Sequence, residues 1–195
     1  MPVPRLKAEE TIILICDVQQ RFRSIVYCME SVIHASRMLT QAASIFSMPI
    51  LVTEQNSKGL GPTVEEIATV FPSSRFCKIE KTKFSMITEE AKAFLKTQLP
   101  RKKILLCGIE SHVCIAQTAL DLIDLEYEVF IVVDGISSQR PIDRLAGIKR
   151  MEKEGAIVTT VESALFEIMG DMQREEFKKL LPILKEKRKN ILPSL

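Results

Sequence analysis

The sequence predicts an α/β domain with three α-β-α layers, in which a doubly wound, mostly parallel sheet of about five or six strands is covered on both faces by helices. Three observations predict it. Short apolar runs rich in Ile, Val and Leu lack polar alternation, the mark of strands buried on both faces. Longer stretches of helical period separate them, and such β-α-β alternation implies right-handed crossovers. The chain, 195 residues with 46% hydrophobic and 27% charged, has the size and composition of one ordinary globular domain.

In order, the strand candidates are TIILICDV (11–18), PILVTE (49–54), KILLCGI (103–109), YEVFIVVDG (127–135) and GAIVTT (155–160). Between the first two, Val32, Ala35, Leu39, Ala42 and Phe46 recur at three- and four-residue steps and mark one helix. Residues 113–125 are apolar on most sides, which predicts a deeply packed helix. Pro141, followed by Ile142, Leu145, Ile148 and Met151, starts an amphipathic helix as an N1 proline. Segment 55–76 is the longest irregular stretch and is expected to cover the active face. Pro182 is expected to break or kink a C-terminal helix, leaving KEKRKNILPSL (185–195) as a frayed or partner-docking tail. No repeat or linker divides the chain, so residues 1–195 read as a single domain, with 171–195 a C-terminal helix and basic tail.

Charge and absences exclude several functions. Residues 171–195 carry seven basic and four acidic side chains, hence +3; the chain as a whole is +2, so the other residues sum to −1. A body of that charge has no general attraction for phosphate backbones, and no nucleic-acid partner is expected. No apolar run is longer than the five residues of Ile12 to Cys16, far below the ~18 residues that span a bilayer, and the N-terminus lacks a secretory apolar region. Five cysteines (Cys16, Cys28, Cys77, Cys107, Cys114), an odd number without a close pair, predict free thiols. A soluble cytoplasmic protein follows as the expectation, with mitochondrial association left open. Gly59 and Gly61 begin a G-x-G-x-x-G pattern, but Val64 stands third, and no G-x-S-x-G elbow occurs. The only histidines, His34 and His112, are too far apart for a histidine-rich metal site.

Ligands of open α/β sheets bind beyond the carboxyl ends of the strands. Asp17, Glu54 and Asp134 are expected to close their strands there, and Cys114 to follow the KILLCGI strand. With Ser111 as N-cap, Cys114 falls about three residues into the next helix, where dipole and N–H groups stabilise a thiolate. The residues alone leave Cys114 open between a nucleophile and a buried structural thiol. Asp17 stays open between a functional acid and a strand-ending cap. Lys81 and Lys83 alone read as solvated lysines. His112, two residues from Cys114, points elsewhere on a helix, so it reads as a pocket-wall or surface residue rather than a dyad partner. His34 lies off the apolar stripe of its helix.

Three segments in order, ICDVQQRF (15–22), KTKFSM (81–86) and GIESHVCIAQTALDL (108–122), resemble the isochorismatase-like cysteine hydrolases. TEQNSKGLGPT (53–63) resembles the isochorismatase domain-containing branch, and the likeness runs from about residue 11 to 170. The resemblance implies Asp17, Lys81 and Cys114 as the catalytic group, converging at the strand ends. Cys114 would attack as a thiolate, Asp17 would accept and return the proton, and Lys81 would keep Asp17 ionised. It implies an oxyanion hole from the backbone N–H groups of Glu110 and Cys114, and a cis peptide bond between Ile109 and Glu110. Gln19, Phe22, Glu54, Phe84 and His112 are expected to line the substrate pocket. Nicotinamidase members of the family carry an Asp-x-His metal group after the second strand; TEQNS has no histidine, so no metal and no cofactor are expected.

The implied activity is metal-independent hydrolysis of a small amide-like or carbamoyl C–N bond through a Cys114 thioester, in a homo-oligomer (dimer or tetramer). The alternatives are an enol-ether hydrolase of isochorismatase type and a non-catalytic binding protein that keeps the fold. In a third, Cys114 is a redox thiol, against which no resolving cysteine lies close in sequence. A nuclease has the weakest support, on the charge argument above.

Overall fold

The computed structural model describes residues 3–186. Its strands are β1 (Thr11–Cys16), β2 (Ile50–Gln55), β3 (Phe76–Lys81), β4 (Lys103–Ile109), β5 (Glu128–Ser137) and β6 (Ile157–Thr159). Its helices are α1 (Met29–Phe46), the short α2 (Ser57–Leu60) and α3 (Glu65–Ala68), α4 (Glu89–Thr97), α5 (Ala116–Asp124), α6 (Pro141–Lys153), α7 (Val161–Met169) and α8 (Glu175–Leu184). The sheet is parallel throughout, in the order β3-β2-β1-β4-β5-β6. Helices α1, α7 and α8 pack together on one face; α5 and α6 pack on the other. The predicted α/β class is therefore observed, with a sixth strand added.

The central strands are apolar because neither face meets water: all of β1 is buried, and Ile104 to Ile109 of β4 are buried as well. The added strand, β3, forms one edge of the sheet and is only partly buried. Its sequence, FCKIEK, alternates instead of forming an apolar run. Segment 55–76, expected to be irregular, is not a plain loop either. It contains α2 and α3, and Thr63 forms a bridge to Gln19 that draws the segment over the end of β1.

Strand order reverses between β1 and β4, since β1 leads to β2 on one side and pairs with β4 on the other. Crossovers leave this point in opposite directions and open a crevice at the carboxyl ends of the two strands. Gly108 allows β4 to approach β1 closely there. It pairs with Cys16, has φ of +118°, and a Cβ on it would stand 2.1 Å from the Cys16 carbonyl oxygen.

Asp134 does not close its strand. β5 continues to Ser137 around a bulge, since Leu106 and Gly108 of β4 pair with Ile131 and Ile136. Buried Arg144 of α6 donates to the Val133 and Ile136 carbonyls at this irregularity, at 2.5 and 3.2 Å. Asp134 instead accepts from the Val161 N–H at the start of α7, 2.8 Å away. Nor does Pro182 end its helix, because α8 continues to Leu184. The basic tail from Lys187 onward lies outside the described residues.

Gly108→Ala should lower stability by roughly 3 kcal/mol, from the clash with backbone and the positive φ together. The measurement is the midpoint of urea unfolding; an unchanged midpoint would show that β1 and β4 can separate at no cost.

Candidate active site

Asp17 follows β1 directly and has φ of +52°. This left-handed conformation, which Asp tolerates better than most residues, turns the chain out of the sheet at the crevice. The turn is held by Asp17 N–H to the Thr53 carbonyl at 3.1 Å and Gln19 N–H to the Asp17 carbonyl at 2.8 Å. The carboxylate is buried: Oδ1 accepts from Thr53 Oγ1 at 2.7 Å, and Oδ2 from Lys81 Nζ at 2.7 Å.

Lys81 ends the edge strand, yet its ammonium is fully enclosed, with a side chain 0% exposed. It donates to Gln55 Oε1 at 2.6 Å, to the Phe84 carbonyl at 3.0 Å and to the Lys83 carbonyl at 3.1 Å, and stands 3.9 Å from Cys114 Sγ. Burial alone would push its pKa down. The Asp17 carboxylate, with the neighbouring Cys16 and Cys114 sulfurs, outweighs burial and raises the pKa above the ordinary lysine value. Lys83, by contrast, reaches outward to Asp121 at 3.0 Å.

Cys114 lies in a wide turn of π type, Ser111–Ile115, ahead of α5. The N-cap is Glu110, not Ser111; Ser111 is fully buried and its hydroxyl has no hydrogen-bond partner. The Glu110 carbonyl accepts from the N–H groups of Val113 and Ile115 and passes over that of Cys114. Gly147 of α6 packs beneath the turn, where a Cβ would stand 2.6 Å from the Ser111 carbonyl oxygen. The Ile109–Glu110 bond is cis. Cys114 is 8% exposed, against 2% for Asp17 and 0% for Cys16.

Asp17, Lys81 and Cys114 are thus brought together, and the remaining predicted positions are spread around them. Gln19 is buried with its carboxamide engaged, Nε2 donating to the Gly61 and Gln55 carbonyls and Oε1 accepting from the Gln55 N–H. Glu54 bonds on the opposite side of β2 from Thr53 and Gln55, as strand alternation requires. Its carboxylate accepts from the N–H and hydroxyl of Thr63 at 2.8 and 2.7 Å and meets Lys78 at 3.4 Å. Phe22 is half-buried against the core, and Phe84 is 54% exposed. His112 is exposed and shares a hydrogen bond of 3.0 Å with Ser138. Glu110 accepts from the Gln139 N–H at 2.8 Å, which ties the loop after β5 to the Cys114 turn.

Sequence reasoning missed Gln55, Thr53 and Cys16. The β2–β3 register sets Gln55 directly beside Lys81, where its Nε2 also donates to the Thr82 carbonyl and braces the lysine's loop. A polar pair at i and i+2 ending an apolar strand was the available signal. The Cys16, Asp17 and Cys114 ligand atoms lie within 4.8 Å of one another, the one such cluster of metal-binding residue types among the described residues. The Lys81 ammonium already supplies a cation to that donor set, at 2.7 and 3.9 Å from Asp17 and Cys114, so the residues do not suit a divalent metal.

The isochorismatase domain model matches residues 11–163. The chain belongs to the isochorismatase family. It is 42% identical over 185 residues to isochorismatase domain-containing protein 2 of Xenopus laevis, covering 94% of this chain and 88% of that one. It is 39% identical over 184 residues to a secreted isochorismatase effector of Phytophthora sojae, covering 93% and 88%. Among solved structures, the MAR1 ribonuclease of Caenorhabditis elegans superposes with a TM-score of 0.91 at 34% identity, covering 98% of this chain and 100% of that one. The chain is thus an isochorismatase-like hydrolase by family and fold. No helix of the described residues is long and apolar enough to cross a membrane.

The Glu54 contacts carry a pH prediction. Burial acts to raise the Glu54 pKa, but the Thr63 hydrogen bonds and Lys78 outweigh it and hold the carboxyl below its usual range. A depressed folded pKa contributes stability above the unfolded value of about 4.3 that is lost as pH falls through the folded value. Glu54→Gln should therefore cost about 2 kcal/mol at pH 7, and less at acid pH, where the native carboxyl is also neutral. Urea unfolding of both proteins at pH 7 and in acid checks this; a penalty independent of pH would refute it.

Proposed function

We propose that the protein is a cysteine hydrolase of small amide-like or carbamoyl C–N bonds, with Asp17, Lys81 and Cys114 as its catalytic group. One observation carries the reading: a buried ammonium stands 2.7 Å from one carboxylate and 3.9 Å from the sulfur of Cys114, which is more exposed than its neighbour Cys16. That cation stabilises both the carboxylate and a thiolate, the two anions such a reaction needs in turn. Asp17 takes the Cys114 proton, and the thiolate attacks the substrate carbonyl carbon. The backbone N–H groups of Glu110 and Cys114 receive the developing oxyanion. Asp17 returns its proton to the leaving nitrogen, and then activates the water that hydrolyses the thioester.

Exposed Phe84 and His112 form the pocket rim in this reading, with Gln19, Phe22 and Glu54 behind it. No metal or cofactor takes part. The reading extends to a homo-oligomer of a single domain in the cytoplasm, a reducing compartment in which five free thiols persist. The Caenorhabditis relative's name raises RNA as a substrate. A soft sulfur nucleophile beside one acid suits a carbonyl carbon better than a phosphodiester, and the chain's net charge of +2 offers RNA little attraction.

A screen of small amides and carbamoyl compounds, with acyl-Cys114 detected by peptide mass spectrometry, tests the reaction. Acylation of Cys114 and turnover unaffected by chelator are expected. Enol-ether cleavage with no acyl-enzyme, or RNA cleavage lost in Asp17→Asn, would overturn it.

Thiol reactivity tests the residue roles. Iodoacetamide should label Cys114 first, because burial pushes the Cys107 thiol up to about 12 and raises those of Cys16 and Cys77. Lys81→Ala should slow Cys114 labelling about tenfold at neutral pH, and Lys83→Ala should leave it unchanged. Asp17→Asn should abolish turnover with the sulfur still alkylatable. Faster labelling of Cys28 or Cys77, or control by Lys83, would overturn the assignment.

A further inference from the structure

Cys16 is a nucleophilic group the hydrolytic scheme leaves unused. It ends β1, is 0% exposed, and its sulfur lies within 4.8 Å of the Cys114 sulfur. The two thiols are 98 positions apart in sequence, and only the pairing of β1 with β4 brings them together: Cys16 is the register partner of Gly108, from which the chain runs directly into the Cys114 turn.

We propose that Cys16 is a resolving thiol for Cys114, and that a hydroperoxide converts the pair into a reversible Cys16–Cys114 disulfide. The inference rests on Cys114 being the reactive thiol, as proposed above. Exposure sets the order of events, since the peroxide can reach Cys114, at 8% exposed, but not Cys16. The Cys114 thiolate attacks the terminal peroxide oxygen. An S–O bond forms, the O–O bond breaks, and the departing alkoxide or hydroxide takes the proton that Asp17 received from Cys114, which leaves Asp17 ionised again. Sulfur is oxidised to the sulfenic acid, and the peroxide is reduced to an alcohol or water. Cys16 then passes its proton to Asp17 as its sulfur attacks that of Cys114. The S–S bond forms, the S–O bond breaks, and the departing hydroxide takes the proton from Asp17 as water.

Two further features favour this second step. Closing from within 4.8 Å to a disulfide of about 2 Å is a movement on the scale of side-chain rotation, and Cys114 sits on a turn rather than in a strand. The Asp17 carboxylate lies in the same cluster as both sulfurs, placed to take the proton from a thiol whose burial otherwise keeps it protonated. The disulfide would remove the nucleophile and its access to higher oxidation states, and a thiol reductant would restore it.

The test treats the full-length protein and its Cys16→Ala variant with hydrogen peroxide, with and without dimedone, followed by intact and peptide mass spectrometry. The wild type should lose two hydrogens in mass and yield a linked Cys16–Cys114 peptide, and dithiothreitol should restore Cys114 alkylation. Cys16→Ala should give about tenfold more dimedone adduct at Cys114 and proceed to the sulfinic acid. Equal sulfinic acid in both proteins, or linkage of Cys114 to another cysteine, would overturn the inference. Should the variant not fold, the linked peptide in the wild type decides alone. Iodoacetamide labelling of untreated protein separates the two proposals. Fast labelling of Cys114 without the linked peptide sinks the disulfide only; a Cys114 inert to both reagents sinks the hydrolase reading with it.

Discussion

A lysine ammonium buried without anions would not stay charged, and the arrangement around Lys81 follows from that requirement. The group is fully enclosed, so its partners must be close and numerous: the Asp17 carboxylate, the Gln55 carboxamide oxygen and two backbone carbonyls. These come from separate stretches of chain. The carboxylate follows β1, the carboxamide ends β2, and the carbonyls belong to the loop after β3. Loss of any one partner leaves the others facing a buried charge, so the three strand ends are tied into one unit.

The same charge links structure to reactivity. A buried ion pair contributes little net stability after desolvation, and a pair this enclosed is better understood as preorganisation. The fold itself holds Lys81 in place, with Cys114 Sγ 3.9 Å from its nitrogen. The sulfur is carried on a turn fixed from both sides, by Gly147 of α6 beneath it and by the Glu110–Gln139 contact beside it. Tight packing, not the helix end alone, determines where the Cys114 sulfur stands.

The site occupies the one place in this sheet where strand order reverses. Gly108 and Cys16 lie back to back there, and that closeness puts a second thiol behind the first. Relatives of this chain are named as an effector and as a ribonuclease, so one architecture carries more than one description. The parts of the site most exposed to solvent, Phe84 and His112, sit outside the buried charge network. They can vary without disturbing it.

By itself the sequence determined the sheet class, because strands buried on both faces must be apolar, and it located β1, β2, β4, β5, β6 and the N1 proline of α6. Ordered motifs singled out Asp17, Lys81 and Cys114. The edge strand β3 was hidden, since a half-exposed strand needs no apolar run. Asp134 looked like a strand end because a bulge, whose carbonyls Arg144 satisfies, is invisible in a linear pattern. Likewise Ser111 looked like a cap, although the turn begins at Glu110. Only the tertiary structure decided that Gln55 braces Lys81 and that Cys16 lies against Cys114. Both depend on register between parallel strands, and parallel register is set by long crossovers and packing rather than by neighbouring residues.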